Sequence, residues 1–243
     1  RRWAIDLDHL QSQISARSRA IVIISPHNPT GMVIDNQSME ELAEIAGQHN
    51  LAIISDEVFS QFVFSGESYA RPHGTCAPLV LTLNGLSKMF ALPAIKLSWI
   101  AVSGEAELVR KAMAVLEMIS DTFLPVNETA QFAVPEIIAQ GRDFLNSYRA
   151  TMEARVTAAW RALAELVPKR PQAGFYLTVP LAQAGKELKD EHQMALKLLE
   201  EDRLLTHPGY FYDMDGNHLV IACVAPENVL AAAGKRIRDA CLS

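Results

Sequence analysis

The apolar positions of the chain fall into short unbroken runs separated by longer stretches of helical spacing. Ala20-Ile21-Val22-Ile23-Ile24-Ser25 is a β-branched run without polar alternation, stopped by Pro26, and it predicts a strand covered on both faces of a sheet. Ser38 and Glu41 form a capping box, and Met39, Leu42, Ala43, Ile45 and Ala46 recur at helical spacing until Gln48-His49-Asn50, so a helix follows. Leu51-Ala52-Ile53-Ile54-Ser55 is a second buried run. Strand, helix and strand with short joints make a βαβ unit, whose strands are parallel with a right-handed crossover.

Residues 79–83 predict a third strand and 95–102 a fourth, the latter after a loop containing Pro93. From Glu105 onward the spacing is helical over 105–119, 128–140 and 143–166, the last stretch reading as a connecting helix. Strands at 174–179 and 218–224 then alternate with helices near 187–201 and 226–240. The expected class is α/β, a mostly parallel sheet with flanking helices, followed by a smaller C-terminal α+β domain. A soft boundary near Phe144 gives domains 1–144 and 145–243, without an internal repeat.

Composition narrows the partners. With 243 residues, 49% of them hydrophobic, the chain can bury a substantial core. A net charge of −6 without a basic cluster argues against nucleic acid. Cys76, Cys223 and Cys241 are an odd number, widely spaced and without zinc-type spacing, so no metal is expected and a reducing cytoplasm is the expected compartment. No apolar run approaches the roughly 20 residues of a membrane helix, and Arg1-Arg2 is followed by Trp3-Ala4-Ile5-Asp6 rather than by an apolar signal core. His27 and His49 read as loop and surface residues, and Met113, Leu116 and Met118 as core.

In an open α/β sheet, ligands gather beyond the carboxyl ends of parallel strands. The first strand leads into Ser25-Pro26-His27-Asn28-Pro29-Thr30-Gly31, the second into Asp56-Glu57, and the third into Asn84-Gly85-Leu86-Ser87-Lys88. An amide, a carboxylate and an amine at one crevice suit an aromatic cofactor carrying a phosphate, a basic ring nitrogen and an aldehyde. Lysine condenses with the aldehyde, and aspartate keeps a pyridine nitrogen protonated. Pyridoxal 5′-phosphate is the candidate.

These segments, together with Val58 after Asp56-Glu57, resemble in order and spacing the class I/II aminotransferases of the aspartate aminotransferase fold. The resemblance runs from Ile5-Asp6-Leu7-Asp8 to the terminal helix. It implies Lys88 as the Schiff-base lysine and proton shuttle, and Asp56 as partner of the pyridinium nitrogen. Asn28 is implied on the phenolic oxygen of the cofactor and on the substrate carboxylate, with Asn28-Pro29 cis as it often is in the family. Ser87 lies in the phosphate-side loop, and Lys96 stands where the family usually places a phosphate-binding arginine. Amino acid and 2-oxo acid substrates and a homodimer are implied with them.

Some positions depart from the family. Phe59 replaces a tyrosine that donates to the cofactor oxygen, which should raise the imine pKa. Gly85 occupies a position where many members have a phosphate-binding serine, and Lys96 offers a point charge instead of a fork. The strand His218-Leu219-Val220-Ile221-Ala222-Cys223 lacks the arginine that clamps the substrate carboxylate, so His218 is the candidate substitute. Family members also carry a longer N-terminal portion with a phosphate cradle and a ring-stacking aromatic, which this sequence is expected to lack. The leading expectation is an aminotransferase. The alternatives are a carbon–sulfur β-lyase on the same scaffold and a truncated, non-catalytic aminotransferase-like domain.

Overall fold

The computed structural model describes residues 3–181 and 190–242. Contacts divide the chain into two compact units, one comprising residues 4–26 and 33–147, the other residues 1–3, 27–32 and 148–243. The short segment 27–32 thus groups with the second unit, although the chain before and after it groups with the first.

The first unit opens with α1 (Leu7–Ser12), whose N-cap Asp6 accepts from His9 N. It continues through β1 (Ala20–Ile24), α2 (Asn36–Gln48) and β2 (Ala52–Asp56). Next come β3 (Leu79–Gly85), the single turn α3 (Leu86–Met89) and β4 (Ser98–Gly104). Two helices follow, α4 (Ala106–Phe123) and α5 (Glu128–Gln140). The sheet order is β1-β2-β3-β4. The first three strands are parallel, Ile24 pairing with Asp56 and Asp56 with Leu83, whereas β4 runs antiparallel to β3 with Gly85 opposite Ser98. Met39, Leu42, Ala43, Ile45 and Ala46 of α2 are buried as their spacing predicts.

Three local expectations are corrected. The cap of α2 is Asp35, whose side chain accepts from Ser38 N, so Ser38 is a first-turn residue and not the cap. The fourth strand starts at Ser98 instead of 95, because Pro93–Ile95 is a 3-10 turn and Lys96 adopts a left-handed conformation with φ 54°. α4 buries none of its residues: Met113 and Met118 are 51% and 68% exposed and Leu116 is half-buried. Periodicity marks an apolar face but not what covers it.

The second unit is reached within α6 (Arg142–Ala162). β5 (Tyr176–Pro180), α7 (Glu191–Asp202), the two-residue β6 (His207–Pro208), β7 (His218–Ala222) and α8 (Glu227–Leu242) complete it. The helix expected over 187–201 begins at Glu191; its first three positions lie outside the described residues. The sheet is antiparallel in the order β5-β7-β6, Thr178 pairing with Val220 and Pro180 with His218. Met152, Val156 and Ala159 of α6 and Leu230, Ile237 and Cys241 of α8 are in its core. Gly234 of α8 has no room for a side chain, since a Cβ would lie 2.6 Å from Ala162 Cβ.

Candidate active site

Parallel β1, β2 and β3 end at one side of the sheet, and the candidate residues Asp56 and Lys88 lie at or just past the carboxyl ends of β2 and β3. At the end of β2 the side chains alternate: Ser55 and Glu57 are buried on one face, and Asp56 between them is half-buried on the other. Val58 N donates to Asp56 Oδ1 at 3.0 Å, which fixes the carboxylate and leaves its second oxygen uncommitted among the described residues.

Lys88 sits in the single turn α3. Leu86 N, on its first turn, bonds Leu97 O at 3.1 Å, so the turn is held against the start of β4. Leu86, Phe90 and Leu97 form a buried cluster with Trp99, Val134 and Ile137 packed on it. That apolar seat fixes the backbone while the Lys88 side chain remains half-buried. Its Nζ lies 5.8 Å from the centroid of the Phe59 ring, three residues after Asp56. The structure therefore brings Lys88 and the Asp56–Phe59 segment to the same sheet end. Phe59 itself is 3% exposed, and its ring offers a cation–π face but no donor.

The phosphate-side candidates are more open. Lys96 is exposed and Ser87 half-buried; the antiparallel register of β3 and β4 returns Lys96 toward the α3 turn. A serine at Gly85 has no space, because a Cβ would lie 2.9 Å from Leu97 O and 3.0 Å from Ser98 Cβ. Glycine is what allows β4 to approach this closely.

Asn28 and His218 belong to the other unit. The segment 27–32 turns on itself, with Gly31 N bonded to His27 O and His27 N to Met32 O, both 2.8 Å. Both X-Pro bonds, Ser25-Pro26 and Asn28-Pro29, are cis. His27 is half-buried, with Nδ1 2.9 Å from Thr30 Oγ1, and burial holds its pKa below the usual 6.5. Thr178 Oγ1 donates to Pro29 O at 3.2 Å, docking the segment on β5. The β7 residue opposite Thr178 is Val220, and His218 lies two residues before it on the same face. Asn28 Oδ1 and His218 Nδ1 are both buried without a hydrogen-bond partner among the described residues. His218 also lines a cavity of about 360 Å³ with Trp3, Lys169, Gln172 and Thr178, its ring centroid 5.7 Å from that of Trp3.

A polar brace that sequence reasoning did not assign lies behind the strand ends. Glu57, 1% exposed, accepts from Ser55 Oγ at 3.3 Å and pairs with Arg71 Nε at 3.1 Å. Burial pushes its carboxyl above the usual 4.5, against the pull of the Arg71 guanidinium. Tyr69 OH donates to Ser25 O at 2.8 Å, and burial keeps that phenol protonated well above its usual range. Asn84 Nδ2 donates to Glu57 O at 3.0 Å and Ser60 Oγ at 3.1 Å, while Asn84 Oδ1 accepts from Gly85 N at 2.8 Å. A charged residue directly after an apolar strand was a signal for Glu57. Arg71 and Tyr69, in the loop before β3, carried none.

A mostly parallel sheet with an amine and a carboxylate at the carboxyl ends of its parallel strands belongs to the class of α/β cofactor-binding folds. The family model for aminotransferase class I and II matches residues 1–235, and the chain belongs to this family. It is 28% identical over 218 residues to glutamate-pyruvate aminotransferase AlaA of Escherichia coli, covering 85% of this chain and 53% of that protein. It is 26% identical over 244 residues to an alanine aminotransferase of Mycobacterium tuberculosis, covering 97% and 56%. The solved alanine aminotransferase of Pyrococcus furiosus superposes with a TM-score of 0.85 at 27% identity, over 98% of this chain and 61% of that one. The chain spans about half the length of the curated relatives it matches.

The residues present fit pyridoxal phosphate by their donor chemistry. Within the first unit there is a half-buried amine, Lys88, and a carboxylate, Asp56, with one oxygen uncommitted among the described residues.

Proposed function

We propose that this chain carries the lysine and ring-binding part of a pyridoxal-phosphate-dependent aminotransferase, which moves an amino group from an amino acid to a 2-oxo acid. The observation that carries the reading is the placement of Lys88 Nζ 5.8 Å from the Phe59 ring, at the sheet end where Asp56 presents its carboxylate. When bound, the cofactor supplies an aldehyde and an electron-withdrawing ring.

In this reading Lys88 has two duties. Its Nζ would hold the cofactor at the aldehyde, and as an amine it would move a proton from the substrate α-carbon. The apolar seat beneath α3 fixes the backbone from which that amine projects. Asp56 holds positive charge on the ring nitrogen by its own opposite charge, and the Val58 N–H fixes its angle. Asn28 takes the phenolic oxygen and one side of the substrate carboxylate. Ser87 and Lys96 hold the phosphate, Lys96 as a point charge without the two-pronged geometry of arginine. Phe59 bounds the amine without donating to it. His218 would take the substrate carboxylate from β7, where it pairs with Pro180 of β5. The substrates are amino and 2-oxo acids, the class named by relatives that act on alanine, glutamate and pyruvate.

The active form is a cytoplasmic homodimer in this reading. Exposed apolar side chains on and beside α4 and α5, such as Phe123, Leu124 and Phe132 at 78%, 82% and 86%, support an interface. Among the described residues no helix is long and apolar enough to cross a membrane.

The test is reduction of the cofactor-loaded chain with borohydride, followed by peptide mass spectrometry. Cofactor mass on Lys88, absent in Lys88→Ala, is the expected result; no adduct on the wild-type chain refutes the reading. Amino transfer that requires a 2-oxo acid is expected beside it. Pyruvate released from a cysteine conjugate without any acceptor would assign the scaffold to β-elimination instead.

A further inference from the structure

The last pairing of the β2–β3 ladder joins Asp56 to Leu83, and the bond from Glu57 N to Leu83 O at 2.9 Å is the final main-chain link between the two strand ends. Past that point the two chains part, one toward Phe59 and the other toward Lys88. A buried side chain bridges the gap. Asn84 is 8% exposed and uses both ends of its amide: Nδ2 reaches Glu57 O and Ser60 Oγ, and Oδ1 receives Gly85 N. Glu57 follows Asp56 directly, and Gly85 begins the segment that ends at Lys88. Glu57 O also accepts from Ser60 N at 2.9 Å, so the amide locks onto a closed turn and not onto a loose strand.

We infer that Asn84 is a positioning residue that sets the Asp56 carboxylate and the Lys88 amine relative to each other. The inference rests on the roles given to Asp56 and Lys88 above. Asn84 touches neither reacting group; it acts through the backbone of Glu57 and Gly85. Gly85 makes this necessary, since it has no side chain with which to cap α3. Its N–H would have no partner if the Asn84 carbonyl were removed, and a buried N–H without a partner is costly.

The experiment uses the whole chain with Asn84→Ala and the isosteric Asn84→Asp, which keeps an acceptor for Gly85 N but loses the donor to Glu57 O. Without cofactor, amide exchange at Val58, whose N–H holds Asp56, should speed up by at least about tenfold in both variants, while Ile53 in the strand centre keeps its protection. With cofactor, half-saturation of borohydride-trapped Lys88 should need at least about tenfold more pyridoxal phosphate. The pH midpoint of the visible absorption band should move in the same direction as in Asp56→Asn. Asn84→Ala added to Asp56→Asn should cost little more than Asp56→Asn alone, because both act on one arrangement.

Unchanged Val58 exchange in a folded Asn84→Asp chain, or fully additive effects on cofactor uptake, overturns the positioning role and leaves the functional reading standing. A wild-type chain that traps no cofactor on Lys88 overturns both.

Discussion

Glu57→Gln tests whether burial or the ion pair governs the carboxylate behind the candidate site. Glu57 is 1% exposed, whereas the Arg71 side chain that meets it at 3.1 Å is 48% exposed. The guanidinium therefore keeps much of its hydration whether or not Glu57 is charged, while the carboxylate loses nearly all of its own. Burial outweighs Arg71, and the folded-state pKa lies above 4.5. Between 4.5 and that raised value the folded protein binds more protons at this site than the unfolded chain. The stability from protonated Glu57 is therefore fully present below 4.5 and is lost as pH rises through the folded-state value. One proton gives a slope of at most about 1.4 kcal/mol per pH unit inside this window. The substituted amide has no proton to lose and still offers an oxygen to Arg71 and Ser55. The variant should consequently gain on the wild type as pH rises from about 4.5, by up to this slope, and then run parallel to it. Urea unfolding of both proteins across that range measures the difference, in which contributions from other carboxylates cancel. Parallel curves throughout would show that Glu57 is not shifted. A variant that loses ground as pH rises would show that Arg71 prevails over burial, and the reasoning would be wrong.

Other consequences follow from close contacts and burial. Gly85→Ser should destabilise the chain by about 1–3 kcal/mol in urea unfolding, because its Cβ would press on Leu97 O and Ser98 Cβ with no backbone strain to relieve; a change under about 0.5 kcal/mol would mean that β4 can retreat. Gly31→Ala should cost more, about 2–5 kcal/mol, since a left-handed φ of 67° is combined with a Cβ 2.6 Å from Ala173 O; thermal unfolding reads it. In thiol titration Cys76, which is exposed, should react at once. Cys223, whose pKa burial pushes up to about 12, and the buried Cys241 should react only on unfolding. Fast reaction of a second thiol in the native protein would contradict the packing of β7 and α8.

The order of elements was legible because its signals are local. Unbroken β-branched runs marked β1 and β2, helical spacing marked α2, and polar residues directly after strands marked Asn28, Asp56 and Lys88. The capping of α2 was misassigned because Asp35 and Ser38 are both competent caps, and only backbone geometry chooses between them. The same limit applies to Lys96, whose place in a left-handed turn before β4 instead of within the strand depends on the Pro93–Ile95 turn.

The chemical groups and their order along the chain were readable from local pattern, since composition and periodicity are properties of neighbouring residues. Everything that joins distant positions came from the fold. Glu57 meets Arg71, Tyr69 reaches Ser25, Asn84 bridges the two strand ends, and Gly85 is excluded from bearing a side chain by β4. The fold also decided that none of the apolar positions of α4 is fully buried. Such pairings depend on which surfaces the folded backbone brings within hydrogen-bond or van der Waals range, and no pattern within a single segment encodes that distance.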